Sequence, residues 1–155
     1  MKRVLVRSIH GAFDFVMKHY YPAGEEELAE RRDTYAVISI QDTHMDGFGV
    51  AFTENKFCKG VLTLQFDDID HETEGAVLFT DEMADAVIAF IQEHRSVETL
   101  LVHCYAGESR SRAVGAFAVE MLGGDNTKYF ETGTPNQYVY DVLETAWIRW
   151  RMSGK

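Results

Sequence analysis

Thr99 to Leu122 reads TLLVHCYAGESRSRAVGAFAVEML, and the fold follows from how this stretch divides. Thr99-Leu100-Leu101-Val102-His103 is a short apolar run of the kind that forms a buried strand. From Ser111 onward, Val114, Phe117, Ala118, Met121 and Leu122 fall at helical spacing. Cys104 to Arg110 lies between them as a tight loop containing Gly107. A strand ending in a cysteine, a glycine-bearing loop and a helix that starts at Arg110 and Ser111 bring backbone N–H groups and a positive dipole end around one point. Such a point suits an oxyanion.

The residues at the two ends of the loop narrow the chemistry. A cysteine facing a helix N-terminus and an arginine sits where thiolate is favoured over thiol, which makes Cys104 a candidate nucleophile needing no separate base. The planar fork of Arg110 can hold two oxygens of a tetrahedral anion and follow the equatorial oxygens as charge spreads in phosphoryl transfer. The amides of Tyr105, Ala106, Gly107, Glu108, Ser109 and Arg110 add electrostatic stabilisation and form the candidate substrate-binding cradle. Against this stands the ordinary role of a strand-end cysteine as a small buried hydrophobe. The combination of Cys104, five residues, Arg110 and Ser111 between strand and helix outweighs it.

In full, His103-Cys-Tyr-Ala-Gly-Glu-Ser-Arg-Ser111 resembles the phosphate-binding loop of cysteine-dependent protein tyrosine phosphatases, most closely the dual-specificity branch and its small bacterial relatives. The resemblance implies that Cys104 becomes a phosphocysteine, Arg110 binds the phosphoryl group and Ser111 assists release of the intermediate. It gives His103 a support role, ordering the loop through hydrogen bonds. Strand alternation agrees, because it turns His103 away from the side on which Cys104 lies. The mechanism so implied uses no metal and no cofactor. Tyr105 and Glu108 depart from the commonest loop pattern, one bulky and one acidic, and would narrow the mouth or select against acidic peptides.

Cleaving a phosphate ester also needs a proton for the leaving oxygen, which a carboxylic acid on a facing loop supplies. Val61 to Phe66 reads as a strand and runs directly into Asp67-Asp68-Ile69-Asp70-His71. These are surface-loop acids with turn propensity in their plainest reading. In the phosphatases that the chain resembles, the acid lies some tens of residues before the cysteine, often after Phe-x. Phe66-Asp67-Asp68 fits that order, so Asp68 is the first candidate general acid, with Asp67 and Asp70 in reserve. An acid preceding the cysteine also argues against the low-molecular-weight phosphatases and arsenate reductases, whose cysteine lies near the chain start.

Around this centre, Arg3 to Ile9 reads as a first strand, Gly11 as a break and Ala12 to His19 as a short helix. Tyr20 to Gly24 reads as a turn. Glu25 to Arg32 has helix-forming composition with almost no apolar face, and is expected to be a solvated surface helix or loop. Thr34 to Ile40 is a second, buried strand. Gln41 to Gly60 is long for a connection and a candidate wall of the cleft; His44 and Asp46 within it lack ligand spacing and argue for no metal site. Thr80 should cap a helix over Asp81, Glu82, Ala84, Val87, Ile88 and Ile91 that ends near His94-Arg95. Gly123 to Asn126 is a stop, Thr127 to Glu131 a short helix, and Thr134-Pro135-Asn136 opens the last helix. There Val139, Val142, Leu143, Ala146, Trp147 and Trp150 form a stripe expected to be core. The Pro135 to Leu143 pattern also resembles the last helix of the small bacterial phosphatases, so the resemblance spans about Thr34 to Trp150 in element order.

With 155 residues, 46% of them hydrophobic, the chain is expected to form one α/β domain over 1–155, a central and mostly parallel sheet of four or five strands flanked by helices. The active loop is expected at the C-terminal edge of the sheet. A net charge of −10 argues against nucleic acid and anionic membrane surfaces as partners. No apolar run approaches a membrane span and no signal-peptide pattern opens the chain, so a soluble, cytoplasmic protein is expected. The two cysteines make no disulfide framework. A protective disulfide between Cys58 and Cys104 is conceivable, an ordinary buried thiol at Cys58 the plainer expectation. The expected activity is phosphomonoester hydrolysis on a phosphorylated protein or a small phosphomonoester, and Glu108 argues for a monophosphate. Two rivals are a rhodanese-like sulfurtransferase, which would not need Asp68 or Ser111, and a phosphate-binding module without turnover.

Overall fold

The computed structural model describes residues 1–21, 32–43 and 51–154. The solvated helix or loop expected at Glu25 to Arg32 falls almost wholly outside the described residues, as do the end of the turn at Tyr20 to Gly24 and both His44 and Asp46.

Four strands, β1 (Arg3–Arg7), β2 (Tyr35–Gln41), β3 (Cys58–Gln65) and β4 (Thr99–His103), form one sheet in the order β1-β4-β2-β3, every pair parallel. Among the described residues five helices accompany it: α1 (Ile9–Tyr20), α2 (Asp81–Glu93), α3 (Arg110–Met121), α4 (Thr127–Glu131) and α5 (Gln137–Met152). The two central strands, β2 and β4, are buried at every residue, as a parallel sheet covered on both faces requires. Alternation divides their side chains. Ala36, Ile38, Ile40, Leu100, Val102 and Cys104 join the larger core with residues of α2, α3 and α5. Tyr35, Val37 and Leu101 join the smaller one with Ala12, Val16 and Tyr20 of α1. Gly115 lets α3 lie close on β1, where a Cβ would stand 2.3 Å from Val6 Cγ2.

The β4, α2, α4 and α5 expectations agree with the structure, including the Thr80 cap, whose hydroxyl accepts from Met83 N at 3.1 Å. The α5 stripe is core: Val139, Leu143 and Ala146 are buried, and Trp147 and Trp150 pack at its edge. The first boundary is corrected. Strand β1 stops at Arg7 because Ser8 caps α1, its hydroxyl accepting from Gly11 N at 3.0 Å, so Gly11 sits in the first helical turn and breaks nothing. Strand β3 starts at Cys58, earlier than Val61, since the Asn55 side chain accepts from Phe57 N and Cys58 N and launches it.

Register also corrects the disulfide idea. Tyr35 pairs with both Cys58 and Thr99, so Cys58 stands level with the start of β4. Cys104 is five residues further along, about 16 Å at the usual rise, well beyond the Cα separation a disulfide spans. Cys58 is instead a buried free thiol, donating to Gly60 O at 3.6 Å, and burial pushes its pKa up.

Candidate active site

The register decides what meets at the sheet's C-terminal edge. Ser39 pairs with His103 and Gln41 with Gln65, so the residues just beyond the three strand ends gather on one side. Cys104 leaves β4, Asp42 leaves β2, and Phe66 to Asp68 leave β3. Together with the loop residues Tyr105, Ala106, Glu108, Ser109 and Arg110, and with Thr134, the residues Asp42, Asp68 and Cys104 line a cleft of about 320 Å³. Open parallel sheets place ligands at this edge.

The loop curls around the sulfur. Gly107 N donates to Cys104 Sγ at 3.2 Å, and Ser111 Oγ lies 3.0 Å from the same sulfur. Cys104 and Ser111 are buried, while Tyr105, Ala106 and Glu108 are exposed on the rim. Gly107 has φ +75°, and a Cβ there would meet the Arg7 carbonyl carbon and the Ser8 nitrogen at 2.6 Å. Only glycine fits both the conformation and the close approach. Ile9 N donates to Tyr105 O at 3.1 Å and fixes the loop from the α1 side.

Arg110 opens α3 and is only 8% exposed. Its Nη1 donates to Phe66 O at 3.0 Å, and its Nη2 lies 3.0 Å from Asp42 Oδ1. Among the described residues two of the five guanidinium donors are thereby engaged, and the other three have no partner.

The three candidate acids have three different surroundings. Asp67 is tied into structure: both its oxygens accept from Thr43 Oγ1, at 2.7 and 2.8 Å, and Oδ2 also accepts from Val77 N. Asp70 is exposed and paired with His71 Nδ1 at 2.6 Å. Asp68 faces the cleft. Its Oδ1 accepts from Ser109 Oγ at 2.8 Å and from Asn136 Nδ2 at 2.9 Å, and among the described residues Oδ2 has no hydrogen-bond partner. Of the three, Asp68 is the one the fold brings to Cys104 and Arg110.

His103 lies behind the loop, fully buried. Gln41 Nε2 donates to Ser39 Oγ at 2.8 Å, which leaves the Ser39 hydroxyl proton for His103 Nε2 at 2.7 Å. His103 Nδ1 then donates toward Cys104 O at 3.4 Å, which is the neutral ring with its proton on Nδ1. Burial lowers the His103 pKa to about 4, opposed by the Cys104 carbonyl. The histidine is kept neutral and carries order from β2 to the loop.

Three contributors were not singled out by sequence reasoning: Asp42, the Ser39-Gln41 pair, and the side chain of Asn136. Asn136 caps α5 by accepting from Val139 N at 3.1 Å while its amide donates to Asp68 Oδ1 and, at 3.0 Å, to Ile69 O. The signal for it was present in Thr134-Pro135-Asn136, which reads as a helix start and as part of the pattern resembling the last helix of the small bacterial phosphatases. Past Asp68, Ser109 and Thr134 the cleft continues into an open groove of about 540 Å³ lined by Ile69, Asp70, His71, Pro135 and Tyr138 among others. Among the described residues no group of histidine, cysteine and carboxylate side chains is arranged to hold a metal ion, and no helix is long and apolar enough to cross a membrane.

No protein-family model matches the sequence, and no curated protein matches it. Solved structures do match. Human tyrosine phosphatase-like serine/threonine/tyrosine-interacting protein is 17% identical, with 95% of this chain and 92% of that chain covered at a TM-score of 0.57. PTPMT1 in complex with PI(5)P is 14% identical, with 98% and 94% covered and a TM-score of 0.56. DUSP15 is 17% identical, with 95% and 85% covered and a TM-score of 0.51. The likeness is one of fold: the chain has the α/β architecture of dual-specificity and tyrosine phosphatases, as expected from its loop.

Proposed function

We propose that the protein is a cysteine-dependent phosphatase that hydrolyses phosphomonoesters through a phosphocysteine. The observation that carries the reading is the convergence of Cys104, Arg110 and Asp68 on one cleft, with the Ser111 hydroxyl at the sulfur. Cys104 thiolate attacks phosphorus, and the bond from phosphorus to the ester oxygen breaks as Asp68 protonates that oxygen. Arg110 and the loop amides hold the equatorial oxygens while charge redistributes. Asp68, now a carboxylate, takes a proton from water as it attacks the phosphocysteine, and Ser111 donates a hydrogen bond to the departing sulfur. Phosphate leaves, and each proton is accounted for by the same carboxyl group.

The substrate class follows from the mouth. Glu108, Asp42 and Asp68 line the cleft, which disfavours ligands bearing several phosphates, and the open groove beside it suits the flank of a polypeptide. A phosphorylated protein with a single phosphate at the site is the proposed substrate, in contrast to the PI(5)P named with PTPMT1. The relative described as tyrosine phosphatase-like and interacting makes the binding-module reading the one to separate.

The test is hydrolysis of an aryl phosphate without added metal by the native chain, Cys104→Ser and Asp68→Asn. Turnover that vanishes in the first variant and falls by about 100-fold or more in the second is expected. A reduced native chain that binds vanadate and turns nothing over makes the protein a binding module. Sulfur transfer from thiosulfate with no ester hydrolysis makes it a sulfurtransferase.

A further inference from the structure

Asp42 has no part in the mechanism above, yet its carboxylate lies 3.0 Å from the guanidinium that mechanism uses, in the same cleft as the nucleophile. We infer that Asp42 is the resident counter-ion of Arg110, which lowers the affinity of the loop for oxyanions and so favours release of product phosphate. This rests on the phosphatase reading and adds a specificity-setting residue to it.

Arg110 is 8% exposed and always charged, so an empty loop without a counter-ion would hold a nearly dry, unpaired cation. Such a cation binds any incoming anion strongly, because the anion removes that unfavourable state. Asp42 already supplies the partner in the empty site. Its side chain is 32% exposed and held at the end of β2, so it can hydrate or stay beside the ligand when phosphate arrives. In either event the entering anion gains less: it loses the pairing that Asp42 had made, or it sits near a second negative charge. Binding and pairing are linked reciprocally, so the pairing with Asp42 that an entering anion displaces, or the repulsion it meets, is subtracted from its affinity.

A carboxylate is needed here for its charge. Phe66 O also binds Arg110 and orients the fork from the end of β3, but a carbonyl neutralises nothing. A purely aligning role for Asp42 predicts the opposite sign, since loss of alignment weakens anion binding.

The test is product inhibition and direct binding, using inorganic phosphate and vanadate as probes on the native chain and on Asp42→Asn, which keeps an acceptor for Nη2 and removes the charge. The expected result is an inhibition constant for phosphate lower by about tenfold or more in the variant, the scale of a unit charge removed a few ångströms from a dianion in a half-buried site. Phosphate should also raise the melting temperature of the variant more than that of the native chain. Unchanged or weaker phosphate binding by Asp42→Asn overturns the inference and leaves Asp42 an aligning residue. If the variant unfolds on its own, refolding with phosphate present must rescue it; failure to rescue counts against the proposal, and Asp42→Ser repeats the comparison. A native chain that neither hydrolyses aryl phosphate nor binds phosphate or vanadate would sink the phosphatase reading itself, which is a separate outcome.

Discussion

Asn136→Ser isolates the hold that α5 has on the proposed acid. Serine is as good an N-cap as asparagine, so the hydrogen bond to Val139 N can be kept while both amide donors are lost. One of these meets a carboxylate, Asp68 Oδ1 at 2.9 Å, and the other the Ile69 carbonyl at 3.0 Å. A hydrogen bond to a charged group is worth about 1.5–3 kcal/mol and a neutral one about 1. Part of this returns because both acceptors lie near solvent, so a stability loss of about 2 kcal/mol is expected, which for a chain of this size lowers Tm by roughly 4–8 °C. Asn136→Ala loses the cap too and should fall by about 1 kcal/mol more. For catalysis, Asp68 would keep only Ser109 as a donor. If about 1.4 kcal/mol of positioning is lost, kcat/KM falls about tenfold for an ester whose leaving group needs the proton, such as phenyl phosphate. A nitrophenyl ester, whose leaving group departs as the anion, should change little. The assay is kcat/KM on both esters beside a thermal melt. Equal losses on the two esters, or none on either with the melt shifted, would refute the reasoning, because Asn136 would then act on the loop or on the fold and not through the acid.

Two further predictions rest on single features. Gly107→Ala should lower hydrolysis by at least about 100-fold, because a Cβ at φ +75° and 2.6 Å from the Arg7–Ser8 backbone must push the loop off the sulfur; a native-like rate would show that the loop tolerates the shift. The His103 pKa of about 4 lies below the unfolded value near 6.5, so the unfolded chain binds more protons between the two. The corresponding stability is fully present above about pH 6.5 and is lost as pH falls toward 4, amounting to about 3 kcal/mol over the window. Denaturant melts of the native chain and His103→Gln should therefore differ in slope against pH between 6.5 and 4, the variant being flatter; parallel curves would contradict a neutral buried histidine.

The parts of the site that sequence made legible are those whose chemistry is local. Cys104, Gly107, Arg110 and Ser111 fall within eight residues, and their meaning needs only a strand before them and a helix after them. Asp68 was one of three acids in a row of four residues. Only the resemblance to a Phe-x-Asp pattern ranked Asp68 above Asp67; the physical difference lies in partners 24 and 68 residues away, Thr43 for Asp67 and Asn136 for Asp68. The same applies to the edges of the fold. Thr80 was readable as a cap because acids and a helical period follow it, whereas Ser8 sits inside an alternating run that extends naturally to Ile9, and only the Gly11 contact shows where the strand ends.

Asp42 is the extreme case. By sequence it is one more acid after a buried strand, and its importance arises from register alone: Ser39 opposite His103 carries the end of β2 past the end of β4 to the guanidinium that α3 sends back. Parallel strands make such meetings unreadable along the chain, because neighbours in the sheet are separated by whole crossovers. They also make them economical for the protein, since three successive strand ends can each deliver one charge to a point without any loop having to be long. The proposed nucleophile, the proposed counter-ion of its arginine and the proposed proton donor are in that sense three readings of one sheet edge. A change that shifts the register of β2 by a single pair would flip Asp42 away from Arg110 and send His103's partner Ser39 into the opposite core, so the charge balance and the order of the loop depend on the same strand pairing.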